Sequence, residues 1–317
     1  MSDGSKAFGS DIAITERERL DGTLSTENHR LATLLLRTRG YVVLHHALPI
    51  EFVARLRLAF SDVLQTCLHR RDPSNSKPRE VEGAVFWERK YRLRIFPKLV
   101  APFSDPILIA NSFVSPILET FLGHDYCCKF VSSDTCMKGA ILQSPHRDIE
   151  FYNGQSPQGY FVNVPLMECG LHNGPLEVWP GGSHLWDAEL FERYQMAPFV
   201  QDDRNGPIED FVERFNSEKV VLSPGTILVR DPGMWHRGTP NPTDEPRTML
   251  TMGMFRRSYS FDYEAPFYNL NEDSFNALDQ RVKRRFDYAF HWNSLLYWKQ
   301  KARKSFRRSN DMRQRVS

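Results

Sequence analysis

The stretch from Pro224 to Phe255, PGTILVRDPGMWHRGTPNPTDEPRTMLTMGMF, holds two apolar segments joined by a turn-rich connection. TILVR and RTMLTMGMF have the length and composition of β-strands, whereas Asp-Pro-Gly and Pro-Asn-Pro between them are typical of tight turns. His236 follows the first turn, and Arg247 opens the second apolar segment. The stretch therefore predicts two strands that carry an imidazole and a guanidinium between them.

The second half of the chain repeats this alternation of short apolar segments and turns. From Tyr126 onward, short apolar segments alternate with turns rich in Gly, Pro, Asn and Asp, among them CCKFVSSDTCMKGAIL, YFVNVPLME and PLEVWP. Such spacing predicts a β-sandwich or barrel. The segments DAELFERYQ and IEDFVERFN, with apolar residues at helical spacing, predict a helical insertion between strands.

The first half predicts helices with isolated strands. GYVVL and YRLRIF are expected as strands, the segment from Pro49 to Leu64 as a helix, and DPILIANSFVSPILETFLG as a Pro-interrupted helical region. We therefore expect a mainly β fold with flanking helices in front and a helical basic tail behind.

Composition narrows the class of protein. The chain has 317 residues, of which 41% are hydrophobic and 25% charged, enough to bury a sizeable core. It contains no apolar run long enough for a transmembrane helix, and its polar N-terminus lacks the apolar centre of a signal peptide. Five cysteines without CxxC spacing predict free thiols, as in a reducing compartment, so we expect a cytoplasmic protein.

Charge is distributed unevenly. Residues 281–317 hold twelve Lys and Arg against two acids, whereas the first 280 residues hold 29 basic and 37 acidic side chains. A C-terminal helix that packs its aromatic residues on the acidic body is the simpler interpretation. The alternative is contact between this basic tail and a partner or an anionic surface. Nothing else in the sequence indicates nucleic-acid recognition.

The segment SPHRDIE, Ser144 to Glu150, places a histidine and an aspartate two residues apart. On a strand, His146 and Asp148 would point to the same face. With His236 they would form a facial triad of two histidines and one carboxylate, which leaves three metal positions open. A 2-oxoacid can take two of these positions and O2 the third. Arg247, eleven residues after His236, has the forked guanidinium that suits the remote carboxylate of 2-oxoglutarate.

Each of these residues also has a plainer interpretation. His146 and Asp148 alone could belong to a surface turn whose side chains cap their own backbone. Arg247 could be a surface arginine beside Glu245. The combination of HxD, a distal histidine and an arginine in strand-like context favours the metal site.

Three longer stretches extend the pattern: LQSPHRD, NGPLEVWPGGSH (Asn173 to His184) and PGTILVRDPGMWHRGTPNPTDEPR. They resemble the phytanoyl-CoA dioxygenase family of Fe(II)/2-oxoglutarate oxygenases, including its ectoine and amino-acid hydroxylase branch, from GYVVL to about Arg256. The resemblance implies a double-stranded β-helix (jelly roll) core, iron bound by His146, Asp148 and His236, and the cosubstrate bound by Arg247. We expect residues 1–25 to be a flexible N-terminus, 26–260 a single oxygenase domain and 261–317 a helical basic extension.

The resemblance has a departure at position 238. Many relatives carry a serine two residues after the distal histidine, and its hydroxyl helps to bind the cosubstrate. Here the residue is Gly238, so that contact is missing or passes to Thr239 or Thr248. The turn Pro-Gly-Gly-Ser-His also holds one glycine more than the usual spelling.

Several polar residues elsewhere are weaker candidates. Gln143 and Asn163 are expected in the cosubstrate pocket with Thr239, although strict alternation would turn Gln143 away. Arg92 and Arg94 share one strand face, where a solvated surface is the preferred interpretation and contact with an anionic substrate or cosubstrate the alternative. His184 and Trp235 are expected in structural roles.

By resemblance, the expected activity is Fe(II)- and 2-oxoglutarate-dependent hydroxylation of a small-molecule metabolite or biosynthetic intermediate, with consumption of O2 and release of succinate and CO2. Related halogenases replace the carboxylate at position 148 with a small residue, so Asp148 favours hydroxylation. Desaturation, epimerisation and ring formation stay open. The same residues could also belong to a non-catalytic ligand-binding β-helix, or to a zinc hydrolase that uses the triad with Glu150 as the nearby candidate base.

Overall fold

The computed structural model describes residues 9–70, 85–89, 91–149, 151–152, 154–189, 214–259 and 272–286. The helices are α1 Glu16–Asp21, α2 Thr26–Arg39, α3 Ile50–Arg70, α4 Pro106–Ile109, α5 Val114–Leu122 and α6 Glu272–Asn276. The strands are β1 Asp11–Ala13, β2 Tyr41–His45, β3 Val85–Arg89, β4 Arg92–Ile95, β5 Cys127–Cys136, β6 Gly159–Pro165, β7 Leu176–Val178, β8 Glu218–Val220, β9 Ile227–Arg230, β10 His236–Gly238 and β11 Arg247–Phe255.

These strands form two sheets. The larger has the order β1-β2-β9-β6-β11-β5-β4-β3, and the smaller has the order β10-β7-β8. All pairings are antiparallel except that of β1 with β2. Side chains of both sheets meet in one buried apolar cluster, which includes Leu228 and Met249 of the larger sheet and Leu176 and Val178 of the smaller. The sheets therefore face each other, and the predicted jelly-roll core is confirmed.

Alternation along the strands separates two environments. In β11, Leu250, Met252 and Met254 belong to the main core, which also contains residues of α2, α3, α4 and α5. The intervening residues of β11 start with Arg247 and point to the opposite face. One face of the larger sheet is thus covered by helices, and the other lines the space between the sheets.

The expectation of a flexible N-terminus is wrong for residues 9–25. Strand β1 pairs with β2, and Ile12 and Ile14 are buried in the main core. Thr15 caps α1 through its side chain, while Glu18 accepts a hydrogen bond from the backbone N of Ser25 at 2.6 Å. The buried side chains of Ile12 and Ile14 and the hydrogen-bonded carboxylate of Glu18 hold this polar segment against the rest of the fold.

The predicted strands GYVVL and YRLRIF and the helices after Pro49 and around DPILIANSFVSPILETFLG are confirmed as β2, β4, α3, α4 and α5. The predicted insertion lies mostly outside the described residues, as do residues 287–317 of the tail. The packing interpretation of the C-terminal helix concerns residues 287–308 and therefore lies outside the described residues. Before that segment, Phe275 and Phe286 are buried in the main core.

None of the five cysteines forms a disulfide, as predicted, and all five are buried. Within the described ranges, no helix combines the length and apolar character needed to cross a membrane.

Candidate metal centre

The backbone sets the positions of the two predicted histidines. His236 opens β10, and His146 forms an antiparallel bridge with it, in which each backbone N donates to the other residue's O at 2.9 and 3.0 Å. The N of Asp148 donates to the O of Pro232 at 2.9 Å. The turn after β9 thus binds the HxD segment and the distal histidine into one unit, although about ninety residues separate them in sequence.

The three side chains converge. One ligand atom from each of His146, Asp148 and His236 lies within 4.8 Å of the other two, and the two imidazole centroids are 4.4 Å apart. His236 Nε2 lies 3.2 Å from Asp148 Oδ2. That separation is near the ~3 Å between two ligand atoms bound at right angles to one first-row metal ion.

The hydrogen bonds of the imidazoles select the tautomer that a metal requires. Nδ1 of His146 lies 2.9 Å from the O of Ser144, and Nδ1 of His236 lies 2.9 Å from the O of Met234. A carbonyl oxygen only accepts, so each Nδ1 carries the proton, and each Nε2 keeps a lone pair for a metal. The donor set therefore fits a divalent metal ion without rearrangement.

Asp148 has a second partner that the sequence did not suggest. Arg230, at the end of β9, donates from Nη2 to Asp148 Oδ2 at 2.7 Å, and its side chain is only 7% exposed. Although burial alone would raise the pKa of Asp148, its interactions with His236 and Arg230 hold it well below its ordinary value. The carboxylate is therefore ionised and oriented throughout the physiological pH range.

Arg247 lies on the interior face, where β11 begins. It is 1% exposed, and its Nη1 is 3.6 Å from Asp134 Oδ2, a long ion pair. Burial alone would lower the pKa of Arg247, but the charge of Asp134 raises it. Among the described residues, Nε and Nη1 have no hydrogen-bond acceptor. Because a buried guanidinium normally has its donors satisfied, Arg247 has the capacity to bind an anionic ligand.

The remaining predicted pocket residues differ in what they do. Gln143 is turned inward and accepts a hydrogen bond from the N of Gly238 through Oε1 at 2.7 Å. The Thr239 hydroxyl donates to the O of Pro175 at 2.6 Å. Thr248 lies 3.1 Å from the hydroxyl of Thr135 and points away from Arg247, its neighbour in β11.

Asn163 faces the interior from β6. It pairs in register with Thr251 of β11 and donates to the Thr251 hydroxyl at 2.8 Å. Its Oδ1 has no donor among the described residues, so its amide retains one acceptor for a ligand. Residues 247, 249 and 251 alternate along one face of β11, so Asn163 lies on the same interior face as Arg247.

The preferred interpretation of Arg92 as a solvated surface residue is wrong. Arg92 is 1% exposed because its side chain points into the space between the sheets, where it donates to the O of Thr239 and the O of Ile141. His184 and Trp235 have the expected structural roles. His184 Nε2 lies 3.2 Å from the O of Arg37, and burial lowers its pKa to about 4, while Trp235 is fully buried 6.4 Å from Trp186.

Sequence reasoning missed Arg230 and Asp134. The signal for Arg230 was its place at the end of TILVR, just before the turn that leads to His236. Asp134 is the one residue of β5 that is not fully buried, as expected for a polar group that faces an open interior.

Comparison with solved structures supports the same fold. EctD from S. alaskensis, determined with bound Fe, is 18% identical, with a TM-score of 0.53 over 78% of this chain and 84% of that one. The epimerase SnoN, in complex with Fe3+, alpha ketoglutarate and nogalamycin RO, is 15% identical, with a TM-score of 0.53 over 78% and 91%. SnoK, a non-heme alpha ketoglutarate dependent carbocyclase from nogalamycin biosynthesis, is 15% identical, with a TM-score of 0.52 over 74% and 85%. At these identities the likeness concerns the fold.

The family match is more direct evidence of kinship. The family described as Phytanoyl-CoA dioxygenase (PhyH) matches residues 36–249, which is more than half of the chain. The matched range begins in α2, contains the HxD segment and His236, and ends in β11 just after Arg247. The chain belongs to the phytanoyl-CoA dioxygenase (PhyH) family.

Proposed function

We propose that this protein is an Fe(II)- and 2-oxoglutarate-dependent oxygenase that oxidises a small-molecule substrate, with hydroxylation as the outcome. The observation that carries the proposal is the convergence of one ligand atom each from His146, His236 and Asp148, with Nδ1 of both imidazoles engaged by backbone carbonyls. Family membership and solved relatives with iron and alpha ketoglutarate support the same assignment.

His146, Asp148 and His236 would hold the iron, and Arg247 would bind the remote carboxylate of 2-oxoglutarate. When bound, iron and 2-oxoglutarate would supply the oxidising power that O2 needs to attack an unactivated C–H bond, with succinate and CO2 as coproducts. The protein's part is to orient the reactants and to keep water out.

Arg230 would serve as a positioning residue for the iron ligand. Its hydrogen bond at 2.7 Å occupies Oδ2 of Asp148, so the carboxylate keeps one orientation whether or not a metal is bound. Its guanidinium also lies over the ring of Phe161, 4.9 Å from the ring centroid. The metal ligand is thus supported from a strand of the larger sheet, opposite the sheet that carries His236.

An apolar wall continues the interior face beyond Arg230. Phe161 belongs to a buried cluster with Phe96, Phe130, Ile149, Tyr152 and Phe255. The ring centroids of Phe130 and Phe161 are 5.5 Å apart in an edge-to-face arrangement. Such a wall excludes water from one side of the site, which protects a reactive centre from solvent.

The fold alone does not select one reaction outcome. The relatives SnoN and SnoK are described as an epimerase and a carbocyclase, so the fold also supports outcomes other than hydroxylation. Because Asp148 keeps a carboxylate at the third ligand position, hydroxylation is favoured over halogenation. A small-molecule substrate is favoured because the relative SnoN was determined in complex with nogalamycin RO.

Succinate formation tests the activity. Purified protein supplied with Fe(II), O2 and 2-oxoglutarate should release succinate slowly even without substrate, and Asp148→Ala should release none above background. A metabolite fraction that accelerates succinate release would then contain the substrate. Succinate release that is equal in the wild type and in Asp148→Ala would reject the oxygenase and leave a binding protein or a zinc hydrolase as the better account.

A further inference from the structure

The interior holds a second buried arginine close to the proposed cosubstrate site. Arg92 in β4 and Arg247 in β11 are both paired in register with Cys136 of β5, which lies between them. Residues in register on neighbouring strands point to the same face of the sheet. Both guanidinium groups therefore rise from one row into the space between the sheets, and both residues are 1% exposed.

Arg92 reaches across to the strand that carries the distal histidine. Its Nη2 donates to the O of Thr239 at 2.9 Å and to the O of Ile141 at 3.1 Å. A Cβ placed on Gly238 would lie 2.6 Å from Arg92 Nη1. Because Gly238 and His236 are two residues apart in β10, Arg92 Nη1 occupies the side-chain position next to His236 on the same face.

Among the described residues, the two buried arginines share one nearby acid. Asp134 is the acid that both arginines share: burial alone would raise its pKa, but the charges of Arg247 and then Arg92 lower it. Its contact with Arg247 is long, at 3.6 Å, and its side chain is 30% exposed. Nε of Arg92 and Nε and Nη1 of Arg247 have no acceptor among the described residues. Two buried cations with free donors and one loosely held carboxylate fit an additional anion.

We propose that Arg92 is a second binding residue for the remote carboxylate of the 2-oxoacid cosubstrate and that Gly238 is required because it leaves room for the Arg92 guanidinium. This inference rests on the proposed function. Arg247 and Arg92 would contact the carboxylate from two sides, and the two carbonyl acceptors of Arg92 Nη2 would keep the fork fixed in the absence of ligand.

The test compares two ligands on anaerobic Fe(II)-loaded protein, with the visible absorption of the 2-oxoacid chelate as the readout. 2-Oxoglutarate carries the remote carboxylate, and 2-oxopentanoate has the same chelating end and chain length without it. We expect Arg92→Met to weaken 2-oxoglutarate binding roughly 10- to 100-fold and to leave 2-oxopentanoate binding within about twofold. Arg92→Lys, which keeps the charge but not the fork, should weaken 2-oxoglutarate binding less.

Two results would overturn the inference while the wild type still forms a normal chelate. Equal loss for both ligands would show that Arg92 only supports the local structure, and no loss for either would show that it does not touch the cosubstrate. Absence of any chelate in the wild type would instead overturn the proposed function, and the inference with it. Arg92→Lys covers the case in which Arg92→Met does not fold.

Discussion

At the residue scale, substitution of Arg247 should distinguish 2-oxoglutarate binding from iron binding most clearly. Arg247→Ala should weaken 2-oxoglutarate binding by about 2–3 kcal/mol, or roughly 30- to 150-fold, because charge-assisted hydrogen bonds from a buried guanidinium are lost. Iron binding should change little, since Arg247 contacts none of the three ligand side chains in the described hydrogen bonds and ion pairs. Calorimetric titrations of the variant with Fe(II) and with 2-oxoglutarate measure the two affinities. An unchanged affinity for 2-oxoglutarate would mean that another cation binds its remote carboxylate.

Gly238 is the residue whose size matters most near the site. A Cβ there would meet Gln143 Oε1 at 2.5 Å and Arg92 Nη1 at 2.6 Å, so Gly238→Ala must displace both side chains. Since each of these side chains is held by hydrogen bonds, we expect a loss of about 1–3 kcal/mol in stability and weaker 2-oxoglutarate binding. Thermal unfolding and cosubstrate titration measure the two effects. Gly9→Ala is the control, because Gly9 is exposed, lies outside the positive-φ region, and an added Cβ there would come nearest to the carboxylate end of the Asp11 side chain at 3.0 Å.

At the element scale, the buried carboxylate of Glu18 ties α1 to the start of α2. Glu18 accepts hydrogen bonds from the backbone of Thr15 and Ser25 and from Asn28. Burial alone would raise its pKa, but these bonds lower it to about 2, so its stabilising effect is complete above about pH 4.5 and is lost as the pH falls through 2. Glu18→Gln should cost about 1–3 kcal/mol at pH 7 in denaturant unfolding.

Glu16 supplies the control for that prediction, since it lies in the same first turn and is exposed. Glu16→Gln should change stability by less than about 0.5 kcal/mol. Equal effects of the two substitutions would mean that the helix dipole, rather than the buried hydrogen bonds, accounts for the loss.

The turn after β9 contains a second buried acid, Asp231. It is fully buried and accepts hydrogen bonds from the Tyr152 hydroxyl at 2.6 Å and from the N of Gly233 at 2.7 Å. Burial raises its pKa from 3.8 to about 6, which the Tyr152 hydrogen bond only partly offsets. Between these values the unfolded chain loses its proton while the folded protein retains it, so this residue's contribution to stability falls as pH rises from about 4 to 6.

Asp231→Asn removes this titration. The variant should gain stability relative to the wild type as pH rises through that window, by up to about 2–3 kcal/mol at pH 7. The difference between the two proteins is the quantity to measure, because burial lowers the pKa of His184 to about 4 and gives the wild type an opposing slope. A difference that does not vary with pH would contradict the raised pKa.

At the scale of the whole molecule, periodicity and turn residues were sufficient to predict the strand-rich second half. The spacing of His146, Asp148 and His236 was sufficient to predict that their side chains converge. The contacts between strands determined the features that these local sequence patterns could not predict. Arg92 is buried because its side chain faces the second sheet and contacts the backbone of Thr239. Strand β1 has a fixed position because it pairs with β2. Such neighbours are remote in sequence, so local patterns assigned both segments to the surface.

The measurement that tests the central claim most directly is an anaerobic titration of metal-free protein with Fe(II) and then 2-oxoglutarate, followed by visible absorption. The account predicts a weak charge-transfer band in the wild type that is absent in His146→Ala and Asp148→Ala. Iron that binds in the wild type without producing the band on addition of 2-oxoglutarate would contradict it.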